Sequence, residues 1–151
     1  MITIGIRAAP KAVTFAVYDS KKREIINVEQ IKIPAAFPTP DALKYLRSNL
    51  LDVLREFRVR KAGIRACEPS AQSISIERVQ IEGVIQEAFA SSDLSAYYVG
   101  HISSISSRVG IPRTDFKLLV AGEKQFEVEN WDSMAAIERE AVLCAVGAVN
   151  A

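Results

Sequence analysis

The spacing of apolar side chains changes period along this chain, and each change marks a boundary between elements. Three strand-like runs come first. Residues 2–6 are apolar around Thr3 and Gly5. Residues 13–18 set Val13, Phe15 and Val17 against Thr14, Ala16 and Tyr18, the two-residue period of a strand. Residues 24–33 form a third run, with a phase change between Val28 and Ile31 that predicts a bulge or bend there. The connections Ala8-Ala9-Pro10-Lys11 and Asp19-Ser20-Lys21-Lys22-Arg23 are short and turn-like, so the three runs read as an antiparallel meander.

A loop with Pro34, Pro38 and Pro40 follows, in which Thr39 is the expected helix cap and Pro40 suits the first turn. Leu43, Leu46, Leu50, Leu54 and Phe57 then make one helical stripe. Residues 62–67 are a short apolar run ended by Glu68-Pro69, the pattern of a buried parallel strand. A second helix is expected over residues 74–90, with Ile81, Val84, Ile85, Ala88 and Phe89 inward. Gly83 lies in its middle at a cost of about 1 kcal/mol relative to Ala, which points to a close packing contact. Residues 96–102 read as a fifth strand. Residues 103–131 carry little pattern, so they hold either a functional loop or hidden elements, with a short helix near 115–121. The last helix is expected from Asp132 or Ser133 and becomes almost wholly small and apolar, as a helix buried on most sides does. Strand, strand, strand, helix, strand, helix, strand, helix is an α/β order. It gives a mixed sheet with helices on both faces, in one domain over residues 1–151.

Composition narrows the class without naming an activity. The 151 residues are 49% hydrophobic with a net charge of +1, so global charge argues for neither nucleic acid nor an anionic membrane. No apolar run approaches the roughly 18 residues of a membrane span, and the opening lacks the pattern of a signal peptide. Cys67 and Cys144 are far apart with no CxxC, as expected of buried thiols in a reducing cytoplasm. The charge is unevenly divided: residues 1–65 hold 13 basic and 6 acidic side chains, residues 66–151 hold 6 and 12. That asymmetry predicts a basic face only if the two halves do not interleave in space.

The element order resembles the RNase H-like fold, and its RuvC-like branch in particular. Three local matches carry the resemblance over nearly the whole chain. ITIGIRAAP is similar to that family's first strand, an apolar run ending Gly-Ile-Asp-Pro-Gly. IEGVIQEAF resembles the helix after the fourth strand, and EREAVLCAVGA the final helix, where an acid precedes Ala-Leu-Ala-x-Ala. The resemblance implies a five-stranded mixed sheet, three antiparallel strands followed by parallel βαβ crossovers. It also implies a nucleic-acid association and a homodimer through the helix that carries Gly83.

The same resemblance implies a chemistry, and here the sequence departs from it. The family uses three or four carboxylates to hold two Mg²⁺ or Mn²⁺ ions about 3.5–4 Å apart, which activate water and stabilise the leaving oxygen of a phosphodiester. The indispensable acid ends the first strand, where this chain has Arg7. A fixed cation there repels both metals and removes their shared ligand. On the fourth strand the acid falls on Arg65 or on Glu68, according to where the strand ends. On the last helix it falls on Glu140. The residue one turn earlier is Ile137, and Glu138 is rotated away by about 100° per residue. Glu68 and Glu140 are thus the remnant carboxylates of a degenerate site with no metal. Arg7 and Arg65 are its candidate counter-charges, and Arg7 is expected to pair with Glu68 or Glu140.

Other chemistry has weaker support. His101 is the only histidine, so a serine triad would have to be built on it, beside Ser103, Ser104, Ser106 and Ser107. The loop HISSISS could present hydroxyls to a phosphate, although a polar strand exit explains it as well. No Gly-x-Ser-x-Gly elbow, P-loop or dinucleotide fingerprint occurs. Lys21, Lys22 and Arg23 are candidate nucleic-acid contacts, as are Arg55, Arg58, Arg60 and Lys61. Cations at the end of a helix also have a structural use. Phe126 and Trp131, near Glu123, Glu127 and Glu129, serve either an interaction edge or the core, and anchoring of the last helix is the expected use of Trp131. Two functions follow. One is a catalytically silent RuvC-like binding or scaffold module without a cofactor, for nucleic acid or a protein partner. The other is a nuclease, for example on branched DNA, using Mg²⁺ or Mn²⁺ at a remodelled site with Glu68 and Glu140.

Overall fold

In a computed structural model describing residues 1–151, the three opening runs pair as a meander: β1 (Ile2–Ala8), β2 (Ala12–Asp19) and β3 (Glu24–Lys32). β4 (Lys61–Arg65) and β5 (Ala96–Gly100) add in parallel on the other side of β1, giving the sheet order β3-β2-β1-β4-β5. Helices α1 (Thr39–Glu56) and α2 (Ile76–Ser91) cover one face. Helices α3 (Ile102–Val109), α4 (Arg113–Ala121) and α5 (Ala136–Gly147) cover the other. The architecture is the mixed α/β sheet that the element order implies.

The central strands are apolar in both phases because each face meets its own core. Ile4, Ile6, Val13, Phe15 and Val17 pack with Leu46, Leu50, Ile85 and Phe89 of α1 and α2. Ala16 and Tyr18 instead join Phe116, Trp131, Ala141 and Leu143 beneath α4 and α5. The same two-sidedness corrects the expected bend in β3. Val28 and Ile31 lie opposite Ala16 and Val13, which point to different faces, so their change of phase needs no bulge. The irregularity falls earlier, where Val17 pairs Asn27 but Tyr18 pairs Ile25, leaving Ile26 extra and exposed.

Other boundaries differ for local reasons. Pro38, extended at φ −64° and ψ 160°, holds the cap position of α1, so Thr39 is the first helical residue and caps nothing. Strand β5 stops at Gly100. The serine-rich HISSISS is not a loop but opens α3, whose Ile102, Ile105 and Val109 keep helical spacing despite the low propensity of serine. The short helix expected near 115–121 is α4. Asp132 and Ser133 lie in a 3₁₀ turn before α5, which begins at Ala136 with Glu138 accepting a hydrogen bond from the Ala135 amide at 2.7 Å. Cys144 is fully buried, but Cys67, just beyond β4, is half-buried.

The close packing expected at one glycine is found at another. Gly83 is exposed and no atom lies within 4 Å of where its Cβ would stand, so the expected packing contact is absent. Gly5 is the tight position: a Cβ there would lie 2.0 Å from the Ala141 carbonyl oxygen and 2.2 Å from the Ala145 nitrogen of α5. Gly5→Ala is therefore expected to cost about 3 kcal/mol or more through forced displacement of α5. Gly83→Ala should stabilise the protein by up to about 1 kcal/mol, because it removes only the entropic penalty of glycine. Urea unfolding of the two variants against wild type checks both signs.

Candidate functional site

The close approach at Gly5 sets α5 across β1 in a fixed register. Thr3, Gly5 and Arg7 share the face that looks at the helix. Thr3 Oγ1 donates to the Ala145 carbonyl at 2.6 Å, Gly5 lies under Ala141 and Ala145, and Arg7 reaches Glu140. β1 and β4 run parallel with Arg7 and Arg65 as direct partners, so two guanidinium groups project from neighbouring strand ends. Like charges side by side on a sheet repel. One carboxylate resolves this. Arg7 Nε donates to Glu140 Oε2, and Glu140 Oε1 is 3.7 Å from Arg65 Nε.

The sequence continues across the sheet with alternating sign. Arg65 Nη1 is 3.5 Å from Glu68 Oε1, and Glu68 Oε2 is 3.8 Å from His101 Nδ1. The backbone N–H of Ile102, in the first turn of α3, donates to Glu68 Oε1 at 2.8 Å. A carboxylate at a helix N-terminus meets unpaired amides and the positive end of the helix dipole. Arg7, Glu140, Arg65, Glu68 and His101 thus form one line at the carboxyl end of the central strands. Arg65 is the most enclosed, at 8% exposure, and its Nε has no hydrogen-bond partner. Beneath the cluster, burial, with the Glu140 carboxylate adding to it, pushes the Cys144 thiol up to about 12.

No serine completes a triad with His101. The Ser104 hydroxyl accepts from the His101 backbone amide at 3.0 Å, and Ser106 donates to the Ile102 carbonyl at 2.7 Å. The basic candidates lie elsewhere. Lys21, Lys22 and Arg23 form the β2–β3 turn, at the end of the sheet where β1 begins, so the structure does not bring them to the cluster. Arg23 pairs there with Glu127 at 2.6 Å. Arg55, Arg58 and Arg60 share that same end, lining a recess of about 360 Å³ with Ser92 and Asp93, and Lys61 Nζ donates to the Val149 carbonyl at 3.1 Å. The charge asymmetry is partly consumed by pairs between the two halves: Arg7–Glu140, Arg23–Glu127 and Arg47–Glu87.

Two residues that the sequence pattern did not mark hold the region around the cluster. Tyr98 lays its ring where side chains at Gly63 and Gly100 would stand, and its hydroxyl donates to the Cys144 carbonyl at 2.9 Å. Arg139, 8% exposed, donates to the carbonyls of Trp131, Val120 and Asp132 at 3.0–3.1 Å, while the Trp131 indole donates to the Leu119 carbonyl at 3.0 Å. Trp131 is thereby a core anchor. The signal for Arg139 was a lone cation between Glu138 and Glu140 at the head of an otherwise apolar helix, which a periodicity reading passes over.

Solved structures share this arrangement of elements. RuvC of Thermus thermophilus in complex with a Holliday junction substrate superposes with a TM-score of 0.72 at 14% identity, over 97% of this chain and 91% of that one. The fold is RuvC-like. A second Thermus thermophilus RuvC structure gives 0.70 at 13% identity, over 97% and 92% of the two chains. The fowlpox virus Holliday junction resolvase gives 0.52 at 12% identity, over 99% and 96%. No family model and no curated protein matches the sequence. The donor set at the cluster does not fit the two metal ions that a RuvC-like fold implies. Arginine stands at two strand-end positions, Glu140 is engaged by Arg7, and no three His, Cys, Asp or Glu side chains converge.

Removing Glu140 from this cluster leaves Arg7 and Arg65 facing each other. Glu140→Gln is expected to cost about 3 kcal/mol, the lower end for an enclosed pair broken on one side. Arg7→Met should cost less than half as much, because Arg65 remains beside the carboxylate. Urea unfolding of both single variants and the double variant measures the coupling directly.

Proposed function

We propose that this chain is a catalytically silent RuvC-like domain that acts as a binding or scaffold module for nucleic acid. The observation that carries the reading is the engagement of Glu140 by Arg7, with Arg65 on its other oxygen. Two-metal hydrolysis needs a concentration of negative charge to hold and space its ions. Here two cations face two acids, and a divalent ion entering between them would meet both guanidinium groups within a few ångströms. Nucleic acid is the favoured partner because the fold is shared with a RuvC bound to a Holliday junction substrate. The competing reading, a Mg²⁺- or Mn²⁺-dependent nuclease using Glu68 and Glu140, requires Arg7 to leave Glu140.

A metal titration separates the two readings. A ligand at about 100 times its Kd stabilises by about 2.7 kcal/mol, which for a domain of this size is about 5–10 °C in Tm. The expected result is no rise with Mn²⁺ up to about 10 mM, and no cleavage of a four-way DNA junction. A rise that Glu140→Gln abolishes, or Mn²⁺-dependent cleavage, overturns the silent reading.

The reading includes a homodimer formed through α2. Ile76 and Val79 are 73% and 47% exposed on that helix, and Gly83 leaves its surface flat one turn further on. Large exposed apolar side chains in one patch favour burial against a partner. Sedimentation in the micromolar range is expected to give a dimer that Val79→Glu converts to monomer. A wild-type monomer at those concentrations removes this part of the reading.

A further inference from the structure

Glu68 occupies a position that is built for an anion but that its carboxylate does not fill. Only the Ile102 amide is at normal hydrogen-bond distance, 2.8 Å from Oε1. The Arg65 guanidinium and the His101 imidazole stand off at 3.5 Å and 3.8 Å, beyond the roughly 2.7–2.9 Å of a charge-assisted hydrogen bond. His101 Nδ1 is buried without a partner. Arg65 Nη1, the atom that faces Glu68, donates only to the adjacent Ala66 carbonyl, and Arg65 Nε, turned toward Glu140 Oε1 at 3.7 Å, is buried without a partner. Enclosing an arginine at 8% exposure with donors unused is costly, and a ligand with more oxygens offsets the cost.

We infer that the first turn of α3, Arg65 and His101 form a phosphate cradle, which the Glu68 side chain occupies in the free protein and vacates when a phosphate group binds. The inference rests on the reading of the cluster as metal-free. A tetrahedral phosphate presents oxygens in directions that a planar carboxylate does not, so one group meets the helix amide, the guanidinium and the imidazole together. Glu68 is free to leave. Its side chain is 26% exposed, and the backbone before it is held independently by Ala66 N–H to the Gly100 carbonyl at 2.9 Å and Cys67 N–H to Glu82 Oε1 at 3.1 Å. Once it leaves, Arg7 and Arg65 outnumber Glu140 and the pocket becomes cationic. The phosphate is either a diester of a nucleic-acid backbone or inorganic phosphate.

The test uses the whole chain in EDTA at constant ionic strength, as wild type, Glu68→Gln, and Glu68→Gln with His101→Ala. Glutamine still accepts from the Ile102 amide, so α3 keeps its cap while the competing charge is gone. Binding of a labelled four-way DNA junction is read by anisotropy. Inorganic phosphate is titrated in ¹H–¹⁵N spectra, with the Ile102 amide as reporter. Glu68→Gln is expected to bind the phosphate group about tenfold tighter, a change of about 1.4 kcal/mol, with the Ile102 resonance moving, and His101→Ala should return much of the gain. Tightening for both ligands identifies a nucleic-acid phosphate. Tightening for inorganic phosphate alone keeps the cradle and removes the nucleic-acid reading. No tightening for either, or an unmoved Ile102 resonance, overturns the cradle. The silent reading is judged separately, on the response to Mn²⁺.

Discussion

The contact between the backbone of β1 and the backbone of α5 at Gly5 is the constraint on which the rest of the structure depends. A helix normally packs on a sheet through two layers of side chains. Here one side chain has been removed so that the helix sinks onto the strand. That depth lets Thr3 reach the Ala145 carbonyl and brings Glu140 within reach of Arg7. It also explains the composition of α5, where Ala141, Cys144 and Ala145 are small because larger side chains would lift the helix away.

With the helix fixed, the charged cluster is a question of local balance. Parallel pairing forces Arg7 and Arg65 side by side, and the chain answers with one acid from α5 and one from the loop after β4. The result is neutral, partly enclosed and linked by donors of different strength. Such an arrangement contributes little net stability relative to an apolar replacement, while the loss of Glu140, the acid that faces both arginines, is expensive.

Much of the architecture was legible because burial on two faces writes itself into the strands and helices. β2 reads as a strand in either phase, and the leucine stripe of α1 is preserved from Leu46 to Leu54. The misreadings share a cause. Val28 and Ile31 looked like a bend because their alternation was referred to one core where there are two. The opening of α3 was hidden by serines, whose preference for local hydrogen bonds masks a sound helical spacing. Gly83 was weighed by its position in its own helix, and Gly5 was passed over because the neighbour that matters to it lies more than 130 residues away. At the cluster, Arg7, Arg65, Glu68 and Glu140 were candidates from the sequence, whereas His101 was weighed only for a serine triad and its place beside Glu68 was not foreseen. Whether Glu68 or Glu140 would meet Arg7 was not legible, because that depends on the depth of α5 and on where β4 stops.

Consecutive residues of α5 are fastened in different directions. Glu140 is tied to the strands, and Arg139 to three carbonyls of the α4 end and the turn at Trp131. A helix gripped on both sides has no easy rotation about its axis, and beyond its exposed first residue, Ala136, it has little room to fray. Partial opening of the molecule would then begin at its margins, in β3 and β5 at the sheet edges, and leave α5 seated on β1 until the last cooperative step. The Arg7–Glu140 pair inherits that order, because it joins the two elements that would separate last, while His101 at the end of β5 would be released earlier.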